Sequence, residues 1–434
     1  MKVSHIIWNL VGLGFPLIIA VITIPHLLAV IGLERFGFLT LAWALIGYAS
    51  IFDLGVGRAV THYVSVKLGA KDVQLIPAIV NTAVVFTSLL GSLAFLLICL
   101  SVYLGVEQWI PKQQVSSSEI NHSLLLLALA IPLQAMSATY KGLNEAFLSF
   151  RGISILRVFL GVANFGGPFL IAAYSHSMPL LVSSLVLSRL IAFFVYRYLA
   201  KSNLVQLGVT KGASFATEHL KRLFEFSSWV TLSSIISPFL VQADRFFIGL
   251  MLTASAVTLY VIPYEITVQA LIGVGAISSV AFPAISRLLA SQPQQAKALF
   301  QRWLVIVSVM MFVAMVGIAM LMPIILSIWV GGYVDQTSVW VGQILCLGVF
   351  LNAIGVMYYA WLHANGDTKY TALCHCAELP LFAMLLYFLV GEFGIVGAAI
   401  AWVFRVALDC ALLIYRYLSM PTTEAESSGA SDVA

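Results

Sequence analysis

Charge is what this chain has least of. Asp, Glu, Lys and Arg make up 9% of its 434 residues, where soluble domains carry about 25%. Hydrophobic residues make up 61%, and mean hydropathy is +1.01. So little charge cannot cover a water-facing surface, so the bilayer is the expected solvent. Cysteine is scarce too. Cys99, Cys346, Cys374, Cys376 and Cys410 all lie inside apolar runs, which argues against a disulfide framework. The "CHC" at 374–376 has a metal-like spacing, but on a helix residues i and i+2 point about 200° apart, so two thiols cannot share an ion. Small apolar filler is the better reading. No metal, cofactor or nucleic-acid partner is expected. No signal peptide is expected either, because the first apolar run, 6–31, is too long and lacks a small-residue cleavage site.

What is present is long apolar runs. A transmembrane helix needs about 20 apolar residues to cross about 30 Å of hydrocarbon. Twelve spans are predicted, at 6–31, 36–54, 75–105, 120–148, 154–174, 179–200, 226–252, 256–288, 303–330, 336–363, 370–391 and 394–418. Several exceed the minimum length, which implies tilt or helical extension beyond the membrane. The Ser-rich, acidic tail 421–434 is expected to be disordered. Of the 22 Lys and Arg residues, Arg35 and Lys112 fall on one side. Arg189, Arg245 and Arg405 fall within spans, and the rest cluster on the other side. Positive loops stay in the cytoplasm, so both termini are expected there.

A shift of 218 residues brings the halves into register. "GVG" at 55–57 meets "GVG" at 273–275, and "LQAMSATYKGLNEA" at 133–146 meets "LNAIGVMYYAWLHA" at 351–364. "YRYL" at 196–199 meets "YRYL" at 415–418, one residue off, with Arg189 and Arg405 preceding the two copies. A common offset in corresponding helices marks an internal repeat. Two six-helix bundles follow, 1–205 and 206–420. Such parallel repeats hold their substrate between them and rock around it. Gly55, Gly57, Gly273 and Gly275 can be bending points near one mouth. Equally, they can be small residues for tight helix contact, with Arg58 as a topology signal.

Ionisable residues deep in a span face a cavity or a partner. Arg189 and Arg405 lie about 15 and 16 Å below the ends of their spans, counted at 1.5 Å per residue. Asp409, four residues after Arg405, can pair with it on one face, whereas Phe193 occupies that place after Arg189. Arg189 therefore suggests a wet, cationic cavity, with a cross-helix pair as the alternative. Asp244 and Glu265 lie at similar depth on neighbouring spans, so Glu265 can reach Arg245. That pair is either a structural ion pair or part of a titratable proton or Na⁺ site. Glu378 is a further candidate acid. Pro16 and Pro25 interrupt helix 1 and Pro238 helix 7, corresponding helices whose kinks suit gates or ordinary packing; Pro263 does the same in helix 8. Lys141, Arg151 and Arg157 form a basic group. They either mark the cytosolic side or capture an anionic headgroup, since arginine forks suit a diphosphate.

"IGLERFGFLTLAW", "FDLGVGRAVTHYVS", "YKGLNEAFLSFRGISILR" and "QADRFFIGLML…YVIPYEI" resemble the polysaccharide-transport family. This family includes the O-antigen flippases and belongs to a superfamily shared with the multidrug and toxin extrusion antiporters. The resemblance implies an all-α integral membrane protein with two six-helix bundles in a V around a central, positive cavity. It implies alternating-access transfer of an undecaprenyl-diphosphate-linked oligosaccharide from the cytosolic to the periplasmic leaflet of the inner membrane, driven by an H⁺ or Na⁺ gradient. Arg189, Arg405, Arg245, Lys141 and Arg58 are then the candidates to meet the substrate; the family offers no motif that fixes a coupling residue, so Asp244, Glu265, Glu378 and Asp409 are candidate coupling acids from their depth alone. Membrane lipids are expected partners, and the resemblance leaves open a partnership with polysaccharide polymerase and chain-length machinery. A cation-coupled multidrug antiporter is the nearest rival, and would favour an acidic or aromatic cavity. A membrane polymerase or ligase would need a larger outer loop than 106–119, which has no histidine, so no enzyme is expected.

Overall fold

A computed structural model describes residues 3–48, 53–105, 115–208, 216–252, 254–330 and 335–420. Lys112, most of the 106–119 loop and the 421–434 tail lie outside the described residues, as does the side chain of Pro25. The helices are α1 Val3–Tyr48, α2 Val56–Gly69, α3 Ile76–Tyr103, α4 Ser117–Ala146, α5 Phe150–Ala172, α6 Met178–Gln206, α7 Thr217–Met251, α8 Ala254–Val268, α9 Leu271–Leu289, α10 Pro293–Val330, α11 Gln336–Ala364 and α12 Thr368–Ser419.

These elements and the twelve predicted spans agree in number but not one to one. Both α1 and α12 hold two spans each. Gly32 (φ 76°, ψ 167°) divides α1 and Gly394 (φ 58°, ψ −137°) divides α12. Only glycine takes such a φ without strain, so one residue does the work of a loop. Conversely, the eighth span comprises α8 and α9, parted at Gln269 and Ala270, while the short α2 begins at Val56, beyond the second span. Ten of the described helices are long and apolar enough to cross a membrane, and 256–268 is a shorter apolar one. Counting both halves of α1 and α12, joining α8 to α9 and leaving out the 14-residue α2 gives twelve.

Two helices start earlier than hydropathy suggested, α7 at Thr217 rather than 226 and α10 at Pro293 rather than 303. The added turns are polar. In α7 they are held by Arg222–Glu218, an i,i+4 pair at 2.7 Å, a spacing that brings side chains together on one helix face.

The chain divides into two compact units, 1–231 and 232–434. The division falls inside α7 rather than in the loop after Gln206. Leu223, Phe226 and Val230 of α7 are buried with Val56, Val60 and Val64 of α2 and Ile76 and Val80 of α3. His62 stacks on Phe226 at 4.9 Å. Burying a Leu, Val or Phe side chain contributes about 1.5–3 kcal/mol, enough to hold the start of α7 on the first unit.

In the first unit α1 packs on α5, and α4 on both α3 and α6. A second core gathers Leu27, Ile31 and Leu39 of α1, Ile120 and Leu127 of α4, and Leu181 and Leu185 of α6. Pro16 fits against Gly161 of α5, where a Cβ would strike its ring. In the second unit α11 packs on α12, α10, α9 and α8.

Candidate functional site

The first unit holds its deep arginines with neutral groups. Arg189 of α6 is half-buried, and its Nη2 donates to Asn164 Oδ1 of α5 at 3.2 Å. Its Nε is buried without a partner. The backbone carbonyl of Asn164 accepts from Trp43 Nε1 at 3.0 Å, so the α5 backbone at this residue is tied to a third helix. Two turns back along the same face of α5, about 10 Å away, Arg157 Nη1 donates to Asn9 Oδ1 of α1 at 2.5 Å. Among the described residues neither arginine makes an ion pair. An amide orients a guanidinium but leaves its charge uncompensated, so the stripe from Arg157 to Arg189 is suited to an anion.

The other basic candidates of this unit differ. Lys141 lies 3.7 Å from Glu145, an i,i+4 neighbour. Arg151 is exposed and stands over Trp8 at 5.5 Å, and Arg58 is exposed. The polar knot that contains Arg58 builds a helix junction. Asp53 Oδ1 accepts the Gly55 N–H at 3.1 Å, and Gly55 begins α2 with φ 70°. Next, α2 crosses α4 so closely that a Cβ at Gly142 would strike the Gly57 carbonyl. Thr61 Oγ1 donates at 3.1 Å to the carbonyls of both Gly57 and Gly142. The repeat-matched Gly273 and Gly275 have open space around them, so the two Gly-Val-Gly stretches serve different local purposes.

The second unit gathers acids. Arg245 Nη2 donates to Glu265 Oε1 at 2.8 Å, the pairing that equal depth suggested, and its guanidinium covers the Tyr264 ring at 4.9 Å. Beside it Asp244 is fully buried and accepts from Tyr260 Oη at 2.6 Å. Tyr264 meets Trp402 edge-on at 5.7 Å, which carries the cluster onto α12. There the expected Arg405–Asp409 pair gives way to another. Arg405 Nη1 lies 3.7 Å from Glu378 Oε2 and its guanidinium stands over Phe382 at 5.7 Å. The i,i+4 spacing allowed the local pair, but the antiparallel halves of α12 bring a carboxyl from the other side of Gly394. Both Glu378 oxygens and Asp409 Oδ1 are buried without a hydrogen-bond donor. The cluster thus sets Asp244, Glu265, Glu378 and Asp409 against only Arg245 and Arg405. Pro238 stays within helical α7. Pro263 lies in α8, where Thr267 Oγ1 bonds its carbonyl at 3.1 Å. Among the described residues no group of three or more His, Cys, Asp or Glu side chains could hold a metal ion.

A family model described as polysaccharide biosynthesis protein matches residues 3–289. The chain belongs to the polysaccharide biosynthesis protein family. A candidate O-antigen transporter of Shigella flexneri is 31% identical to this family member over 419 residues, 96% of this chain and 98% of the relative. A candidate low-salt glycan biosynthesis flippase of Haloferax volcanii is 25% identical over 294 residues, 68% of this chain and 60% of the relative. The fold is that of MATE transporters. A variant of the Vibrio cholerae MATE transporter VcmN superposes with a TM-score of 0.80 at 16% identity, covering 96% of this chain and 95% of that one.

Several residues that organise the site in this polysaccharide biosynthesis protein carried no charge signal in the sequence. Asn164 and Asn9 are neutral amides, and Tyr260, Tyr264 and Trp402 read as ordinary apolar residues. The signal that was available is spacing: Arg157 and Asn164 stand seven apart on α5, and Tyr260 and Tyr264 four apart on α8, so each pair shares a helix face.

Proposed function

We propose that this chain is a flippase for an undecaprenyl-diphosphate-linked oligosaccharide. It moves the sugar-diphosphate head from the cytosolic to the periplasmic leaflet of the inner membrane by alternating access, while the lipid tail stays in the bilayer. Both termini are cytosolic, and the two compact units that part within α7 are the moving bodies. The observation that carries this reading is Arg189, a deep guanidinium that among the described residues is held by the neutral amide of Asn164 and by no carboxylate. A charge kept in a membrane span without a counter-ion is costly, and a diphosphate is the ligand that repays it through two-point hydrogen bonds. Arg157 extends the positive stripe along α5. The acids of the second unit supply the coupling site for a cation gradient. Those acids also suit a cation-coupled multidrug antiporter of the same fold, but that reading leaves Arg189 and Arg157 without a use.

The test is complementation of a flippase-deleted strain, with lipid-linked intermediates assayed by leaflet. Arg189→Glu should abolish export while membrane insertion stays normal. Normal export by that variant would overturn the assignment.

A further inference from the structure

The Glu378 site has a peculiarity that an ion pair does not explain. Its side chain is 1% exposed, yet neither oxygen receives a hydrogen bond. Arg405, its only cation among the described residues, stands at 3.7 Å, beyond hydrogen-bond length. A buried carboxylate in a settled structural pair is normally met by two or more donors, because otherwise its desolvation is not offset. Here the neighbour is a second carboxyl. Asp409, one turn after Arg405 on the same helix face, is the neighbouring acid, and its Oδ1 is likewise buried without a donor. Two carboxyls can bond each other only when one carries a proton.

Among the described residues no other group donates to the two Glu378 oxygens or to Asp409 Oδ1. On α12 the nearest titratable groups are Cys374 and His375. From α11, Gly355 faces Asp409 with no side chain, Tyr359 stacks against His375 at 6.1 Å, and His363 is engaged with Thr371 at 3.0 Å. Asp244 of α7 and Tyr264 of α8 approach Arg405 from its other side. With both acids ionised, Glu378, Asp409 and Arg405 hold one uncompensated negative charge in a membrane interior, and a single proton cancels it.

We propose that Glu378 and Asp409 jointly hold one exchangeable proton beside Arg405, and that this proton is the ion whose gradient drives transport. The second half rests on the flippase reading above; the first does not. A proton fits better than Na⁺. A metal cation needs several oxygens at once, no group of metal-holding size occurs among the described residues, and the guanidinium would repel a second cation at this distance.

Infrared difference spectroscopy of the purified full chain in lipid nanodiscs, between acid and alkaline buffer and without substrate, tests the site. The wild type should show a protonated-carboxyl stretch that disappears on alkalinisation. Glu378→Gln should remove it, Asp409→Asn should remove or move it, and Glu265→Gln should leave it in place. Two near-isosteric variants keep the test readable if one fails to fold. A band that persists unchanged in both, or that Na⁺ abolishes at constant pH, overturns the proposal. Leaflet assays of lipid-linked sugar then separate the two claims. A titrating band without flipping refutes the flippase reading alone, and flipping driven by a pH gradient in Glu378→Gln refutes the coupling role.

Discussion

The two repeat-matched arginines should respond oppositely to the same substitution. Replacing Arg189 by Met removes one hydrogen bond to a neutral amide at 3.2 Å. The net worth of such a bond is about 0.5–1.5 kcal/mol, or up to about 3 because the donor is charged, and removing an uncompensated cation returns part of that. The stability loss should therefore be about 1 kcal/mol or less. Replacing Arg405 by Met strips the paired cation from Glu378, which is 1% exposed. Breaking a buried pair by removing one partner costs about 3–5 kcal/mol. For a chain of this length each kcal/mol moves the melting midpoint by about 1–2 °C. Arg189→Met should stay within about 2 °C of wild type and Arg405→Met should fall by about 3–10 °C on the same scale. Thermal unfolding of detergent-purified protein, followed by size-exclusion chromatography, gives both numbers. The Arg405→Met loss should shrink in acid, where protonated carboxyls need no counter-charge, and should be largely repaired by adding Glu378→Gln. Export should show the reverse order: Arg189→Met inactive although stable. Equal midpoints for the two single variants would refute the distinction between an amide-held and a carboxyl-held arginine.

Two further expectations concern packing and capping. Gly142→Ala places a methyl against the Gly57 carbonyl and should cost about 1–3 kcal/mol by overpacking; Gly275→Ala, in open space, should be neutral or stabilise by up to about 1 kcal/mol, both read as midpoint shifts. At the start of α11, desolvation is the largest single influence on the Asp335 carboxyl and raises it, but the hydrogen bonds from Ser338, Thr337 and its own backbone together outweigh that and hold the group below the usual carboxylate range. Its cap onto the Ser338 N–H, at 3.0 Å, is therefore present above the ordinary carboxylate pKa and lost as pH falls through the lowered value. Asp335→Ala should be less stable than wild type at neutral pH and should match it in strong acid, as amide exchange at the first turn of α11 would show.

Much of the architecture was legible because hydrophobic runs and charge placement are read directly by the bilayer. The twelve spans, the 218-residue repeat and the Arg245–Glu265 pair all follow from length and depth. Other features depend on where the chain turns. The α12 reversal at Gly394 sets Glu378 beside Arg405, a contact that no local spacing rule contains. The partners of Arg157 and Arg189 were hidden for a different reason: asparagine has no charge to mark it in an apolar run. The start of α7 was misjudged because its polar turns are helical without being greasy, and hydropathy measures only the second property.

Gly32 and Gly394 also decide what the outside world can grip. At both positions two membrane spans are joined through a single residue, so no strap of chain projects there for a protease to cut, an antibody to find or a neighbouring protein to clasp. Docking by other machinery, and any tag meant to stay accessible, is better accommodated at the opposite helix ends, where the polar first turns of α7 and α10 stand clear of the apolar runs.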